Sequence, residues 1–337
     1  MNFHQLHIFY IVAQRRSITA AAAEVRLTQP AVSLQIRALE KECGLPLFER
    51  AVSGQARLRL TQAGEALYRS AVSILHTQEE TRRVMAELGA ATKGKLILGA
   101  NTTGGMYLLP RIVHAFKQLY PETEIVFQID ATERLYESTL QNVLDMALVG
   151  GPTQDRRFGV EPICLDNVVL IAAPSHPFAS RRTVALKEIK AEPFILPQQG
   201  SRTRALVERK LKSSGVLLNV VMQLHGTEAV KKAVEAGLGI GFVCSYAVER
   251  EVAMGALALI PIDRFELTRH MELIYRKQKY FSPVAERFRQ FIHEFAKEIA
   301  PMRAGSELPA GGGQQPARVR RANASDERPR RGGSAGA

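Results

Sequence analysis

The sequence predicts an α/β chain that opens on a winged helix-turn-helix. Three observations carry this. Residues 17–43 read as two short helices broken at Leu27-Thr28-Gln29. Residues 62–90 form one long Pro-free helix with an apolar seam. Beyond the polar hinge Ala91-Thr92-Lys93-Gly94, strand-like and helix-like segments alternate to about residue 300. Such alternation argues for parallel α/β sheets.

The N-terminal elements follow from local chemistry. Leu6, Phe9, Tyr10 and Ala13 recur at helical spacing over residues 3–15 and give a first helix that backs the pair behind it. The second helix is rich in Ala20, Ala21, Ala22 and Ala23, the residue of highest helix propensity. Thr28 can cap the third helix, and Pro30 suits its first turn. Along that third helix Val32, Ile36, Leu39 and Cys43 share one face, the core side. Pro30, Leu34, Arg37 and Lys41 share the other, with Ser33 at its edge. Arg37 is suited to a guanine edge or a phosphate, Gln29 and Ser33 to hydrogen bonds with bases, and Leu34 to a thymine methyl. An ordinary amphipathic helix with a solvated basic face has the same pattern. Leu47–Ala51 and Arg57–Thr61 alternate like strands around Ser53-Gly54, which is a β-wing. On it Arg50, Arg57 and Arg59 are placed for phosphates, a contact that positions without specifying sequence. In the long helix Leu67, Ala71, Ile74, Gln78, Thr81, Met85 and Leu88 alternate steps of four and three, a heptad seam that calls for a partner helix.

Order and spacing of Leu27-Thr28-Gln29-Pro30-Ala31-Val32-Ser33, Gln35-Ile36-Arg37-Ala38-Leu39-Glu40, Gly44-Leu45-Pro46-Leu47-Phe48-Glu49-Arg50 and Leu60-Thr61-Gln62-Ala63-Gly64 resemble those of LysR-type transcriptional regulators. The resemblance spans residues 2 to about 300. It implies a winged helix-turn-helix over 1–61, a linker and dimerisation helix over 62–90, and an effector-binding domain over 95–302. That domain is expected to hold two Rossmann-like subdomains, as in type 2 periplasmic binding proteins, with subdomain I at about 95–165 and 270–302 and subdomain II at about 166–269. Crossovers are expected near 163–168 and 265–270. Implied partners are double-stranded promoter DNA, a small-molecule effector, a second copy of the chain through the linker helix, a tetramer built from such dimers, and RNA polymerase.

Within the α/β region, strands are expected at Lys95–Ala100, Glu124–Asp130, Asp145–Val149, Val168–Ala173, Pro193–Leu196, Leu218–Leu224, Ile240–Val243, Leu257–Pro261 and Met271–Arg276. Helices are expected near 107–119, 132–142, 202–214, 227–236 and 281–299. Ligands in such sheets bind beyond the carboxyl ends of strands. Three strand ends run into helices through polar loops, at Asn101–Gly105, Gln198–Arg204 and His225–Glu228. Helix N-termini favour anions. A small anionic co-inducer is therefore expected on Thr102, Thr103, Ser201, Thr203 and Thr227, with Gln199 beside them and His225 near. Helix capping is the competing role for each hydroxyl. Related loops commonly read Gly-Ser-Gly-Thr-Arg; here Arg202 takes the middle Gly position, which either hinders close approach of a ligand or adds a cation. The Gly99-Ala100…Leu108-Leu109-Pro110 and Gly200–Arg204 patterns are similar to those of family members that regulate carbon dioxide fixation or sulfur assimilation.

Composition narrows the alternatives. The 337 residues suggest two or three domains, and 46% hydrophobic content supplies their cores. A net charge of +12 suits a nucleic-acid partner. Cys43, Cys164 and Cys244 form no CxxC pair, so neither a zinc site nor a disulfide framework is expected, and Cys43 and Cys244 read as small core residues. Cys164 is the one candidate for redox sensing. No signal peptide or membrane span is apparent, so a cytoplasmic protein is expected. No catalytic set, metal-ligand spacing or phosphate loop is found, and no cofactor is expected. A solute-binding protein or an α/β enzyme are the rival classes for the cleft. From about residue 303 the chain carries Gly311-Gly312-Gly313, Arg320-Arg321 and Arg330-Arg331 in a segment too poor in apolar residues for a core. A disordered basic tail over 303–337 is expected, either adding nonspecific DNA affinity or serving no function.

Overall fold

Three capped helices start the chain in the computed structural model, which describes residues 1–49, 58–89 and 94–297. Helix α1 (Phe3–Arg15) opens on a capping box between Asn2 and Gln5. Ser17 caps α2 (Ile18–Glu24), and Thr28 caps α3 (Gln29–Cys43) by accepting from the Ala31 N–H. Gly44 ends α3 at φ 68°, a left-handed conformation that suits glycine. Leu6, Phe9, Val12, Ala21, Val32, Ile36, Leu39 and Leu47 close a common core. Cys43 is exposed rather than buried with them. It lies on the last residue of α3, one turn past Leu39, where the core has ended.

Behind α3 the Phe48–Leu60 bridge starts an antiparallel wing, closed by the Glu49 N–H donating to the Arg59 carbonyl. The wing tip, with Arg50 and Arg57, lies outside the described residues. At the wing base, a Cβ on Gly64 would stand 2.1 Å from the Leu47 carbonyl oxygen, so only glycine lets the following helix approach this closely.

That helix, α4 (Gln62–Gly89), splits the predicted seam. Leu67 and Ala71 join the N-terminal core, while Ile74, Met85 and Leu88 remain exposed at 37%, 65% and 59%. The opposite side docks on the α/β region through charge. Lys279 Nζ, 2% exposed, lies 2.5 Å from Glu80 and 3.3 Å from Asp145, and Arg83 reaches Asp145 at 3.6 Å. Glu87 is buried and accepts from the Lys95 N–H.

The α/β region holds two sheets joined by one strand. In the first, β1 (Lys95–Ala100) pairs in parallel with β2 (Glu124–Ile129) and β3 (Met146–Gly150). The sheet order β2-β1-β3-β9-β4 then turns antiparallel at β9 (Thr268–Arg276) and β4 (Phe158–Ala172). Strand β4 stays with β9 as far as Asn167 and from Val168 pairs antiparallel with β7 (Gly241–Cys244). Its end also pairs antiparallel with β8 (Ala258–Ile260). A bridge from Phe194 to Ile240 ties in the parallel pair β5 (Pro193–Pro197) and β6 (Asn219–Leu224). The sheets are therefore mixed, not parallel throughout, because the chain passes between subdomains on antiparallel strands. Helices α5 (Leu109–Leu119), α6 (Thr132–Leu140) and α10 (Pro283–Ala296) cover the first sheet; α7 (Arg202–Ser213) and α8 (Thr227–Glu235) cover the second. A short α9 (Glu249–Ala253) follows β7.

Removing Lys279 leaves the largely buried Glu80 without its cation and buried Asp145 with Arg83 alone. Lys279→Met should cost about 3–5 kcal/mol in urea unfolding, whereas Lys277→Met, at an exposed position, should change stability by less than about 0.5 kcal/mol.

Candidate functional site

On the winged helix, Gln29, Pro30, Leu34 and Arg37 are exposed on α3, and Ser33 is half-buried beside them. Leu34 is 64% exposed, although the other large aliphatic residues of its helix, Val32, Ile36 and Leu39, are buried. Thr28 spends its hydroxyl on the cap, 3.4 Å from the Ala31 nitrogen. Arg59 is exposed at the wing, loosely paired with Glu49 at 3.7 Å. The exposed face of α3 is thus apolar at one point, amide-bearing at another and cationic at a third.

The second site is a cleft of about 470 Å³ between the two subdomains. Thr102 and Thr103 enter it from the end of β1, Ser201 and Thr203 from α7, and Thr227 and His225 from the start of α8. Gln199 is exposed and stands outside the lining; its neighbour Gln198 is in it. The strand-end logic places the loop but not the side chain, since successive loop residues point different ways. Capping explains only part of the hydroxyl set. Ser201 caps α7 by accepting from the Arg204 N–H, but Gly226 holds the cap position of α8, so Thr227 is not used that way. Thr103 is buried and makes no cap bond. Asn101 instead accepts from the Gly104 N–H and shapes the π-helical turn Gly104–Leu108 ahead of α5.

The cleft also holds residues outside the three polar loops. Asp130, Thr132, Glu133 and Arg134 enter from the β2–α6 connection. Arg269 enters from β9, mid-sheet, where loop composition gives no signal. Its side chain is 3% exposed and its Nε donates to Asp166 Oδ2 at 2.9 Å. Burial pushes the Asp166 carboxyl up, against the pull of Arg269. Nη2 of Arg269 lies 2.8 Å from the same oxygen yet makes no aligned hydrogen bond among the described residues. The cleft therefore joins two helix N-termini, several hydroxyls and a buried guanidinium, a set suited to a small anion.

Cys164, on β4, and Cys244, on β7, are both buried. Burial pushes the Cys164 thiol up to about 11 and the Cys244 thiol up to about 12. Thiolate, the reactive form, is thus scarce at neutral pH, which counts against redox sensing by Cys164. Among the described residues no group of His, Cys, Asp and Glu is arranged to hold a metal, and no helix is long and apolar enough to cross a membrane.

A winged helix with an open recognition face, joined through a long helix to a two-subdomain cleft, defines a DNA-binding regulator that responds to a small molecule. Residues 3–65 match the bacterial regulatory helix-turn-helix protein, lysR family, and residues 89–297 match the LysR substrate binding domain. The transcriptional activator CmpR of Synechocystis is 33% identical over 301 residues, covering 89% of this chain and 98% of its own. The RuBisCO operon transcriptional regulator of Allochromatium vinosum is 33% identical over 292 residues, covering 87% and 95%. The CcmR regulatory domain of Synechocystis PCC6803, solved in complex with 2-PG, superposes with a TM-score of 0.57 at 26% identity, covering 61% of this chain and 98% of that domain. The chain belongs to the LysR family of transcriptional regulators.

Thiol titration checks the cysteine assignment. A maleimide reagent at pH 7 should modify one thiol per native chain, Cys43, and all three in denaturant. Rapid native labelling of Cys164 would overturn the assignment.

Proposed function

We propose that this regulator reads promoter half-sites with Gln29, Pro30, Ser33, Leu34 and Arg37, steadied by phosphate contacts from Arg50, Arg57 and Arg59 at the wing and by Thr28 at the helix start. Two copies join along α4. The exposed Ile74, Met85 and Leu88 support this, since an apolar stripe on a long helix is stable in water only when covered. Two such dimers form a tetramer that contacts RNA polymerase in the cytoplasm. A small anionic metabolite acts as co-inducer in the cleft, held by Thr102, Thr103, Ser201, Thr203 and Thr227, with Gln198 in the place first given to Gln199. The observation that carries this is the convergence of the α7 and α8 N-termini with buried Arg269 on one cleft. The 2-PG complex of the CcmR domain supports a small molecule in the corresponding domain, and relatives named for the RuBisCO operon support a role in carbon assimilation.

Three measurements test this. Thermal shifts against sugar phosphates, carboxylates, nucleotides and sulfur compounds, 2-PG included, should give a ligand that stabilises the chain by about 2.7 kcal/mol at a hundredfold excess over Kd. No response from any anion would remove the anion reading. In gel shifts with the chain's own upstream DNA, Arg37→Ala should lose about 1–3 kcal/mol of specific binding if Arg37 reads a base; a smaller, sequence-uniform loss makes it a phosphate contact. Met85→Glu with Leu88→Glu should lower the sedimenting mass, and an unchanged mass would move the dimer contact off α4.

A further inference from the structure

Each subdomain II loop that lines the cleft carries, one residue past its lining hydroxyl, a side chain that reaches across to subdomain I. Arg202 follows Ser201. Its Nη2 donates to the Tyr136 hydroxyl at 3.0 Å, and its Nη1 donates to the carbonyls of Gly150 and Pro152 at 3.3 and 3.4 Å. The guanidinium carbon sits 5.2 Å from the centre of the Tyr136 ring. Tyr136 is held in turn by its hydroxyl contact with Thr153 at 2.8 Å and by ring contact with Phe158.

Glu228 follows Thr227 and accepts a hydrogen bond from the Tyr107 hydroxyl of subdomain I. Lys231, 3% exposed, lies 2.8 Å from Glu228 and 2.7 Å from Glu251, and over the Tyr107 ring. Burial alone would raise the Glu228 carboxyl, but hydrogen bonds from Lys231 and Tyr107 outweigh it and hold it below its ordinary value. Burial pushes Tyr107 up, so its hydroxyl keeps its proton as donor. Arg111 and Glu249 add a looser bridge between the subdomains at 3.9 Å.

We propose that Arg202 and the Tyr107–Glu228 pair are two clasps that hold the subdomains closed over the cleft before any ligand arrives. The Arg202 guanidinium is then committed to the protein and acts on a ligand by positioning the walls. Ligand entry requires the clasps to open, and ligand residence is set by how fast they do. Lysine does not replace Arg202, since one ammonium cannot stack on Tyr136 and serve three separated acceptors at once.

The test uses the full chain without ligand or DNA, so its failure is distinct from failure of the functional reading. In a Cys43→Ser background, spin labels at Gln118→Cys and Lys212→Cys report the distance between α5 and α7; both positions are exposed. The parent should give one narrow distance population. Arg202→Gly and Tyr107→Phe should each lower the closed-to-open ratio roughly tenfold; together they should shift most molecules to a longer, broader distribution. Arg202→Lys should resemble Arg202→Gly. Tyr136→Phe with Tyr107→Phe, which removes only two hydroxyls, carries the test if Arg202→Gly fails to fold. A broad parent distribution, or a double variant with the parent's distribution, overturns the proposal.

Discussion

The antiparallel pairing of β4 with β9 is the constraint on which the effector domain depends. These strands pair from Phe158–Arg276 to Asn167–Thr268 and are the two passages of the chain between subdomains. Near the crossing, Asp166 and Arg269 sit opposite each other, both buried. A buried ion pair roughly offsets its own desolvation, so its main contribution here is register. Sliding the strands by one residue would strand two charges in the core. The same arginine lines the cleft, so the crossing between subdomains and the cleft share one residue.

Much of this was legible in the sequence because it rests on short-range chemistry. Caps at Thr28 and Ser201 and the inner face Val32-Ile36-Leu39 depend on neighbours in the chain. Parts that depend on distant partners were not legible. The part of β4 before Val168 contains Gly159, Pro162 and the charged Glu161 and Asp166, so it reads poorly as a strand until β9 is set beside it. Cys43 continues an apolar spacing past the end of the core. Arg269 enters the cleft only because Asp166, 103 residues earlier, holds it. Leu67 and Ala71 fit a dimer seam by spacing, yet α1 covers them. Periodicity says that a face is buried, not by what.

A ligand shifts the balance between two conformations only by binding one better than the other. The hydroxyls lining the cleft come from both subdomains, so their spacing depends on how the subdomains are set. Contacts that the protein makes across the same gap therefore set the starting point of that balance.

The buried charges around Lys279 have a mechanical consequence. Helix α4 has 28 residues and so spans about 42 Å at 1.5 Å per residue. Lys279, Glu80, Asp145 and Arg83 grip its far end, while Leu67 and Ala71 are built into the winged helix at the near end. A rod fixed at both ends transmits angle as displacement. A rotation of about 5° where the charges grip it, about 30 Å from the start of the helix, moves that start by roughly 3 Å, a distance comparable to one base-pair step. The effector domain can thus change which bases the helices reach without deforming the winged helix at all.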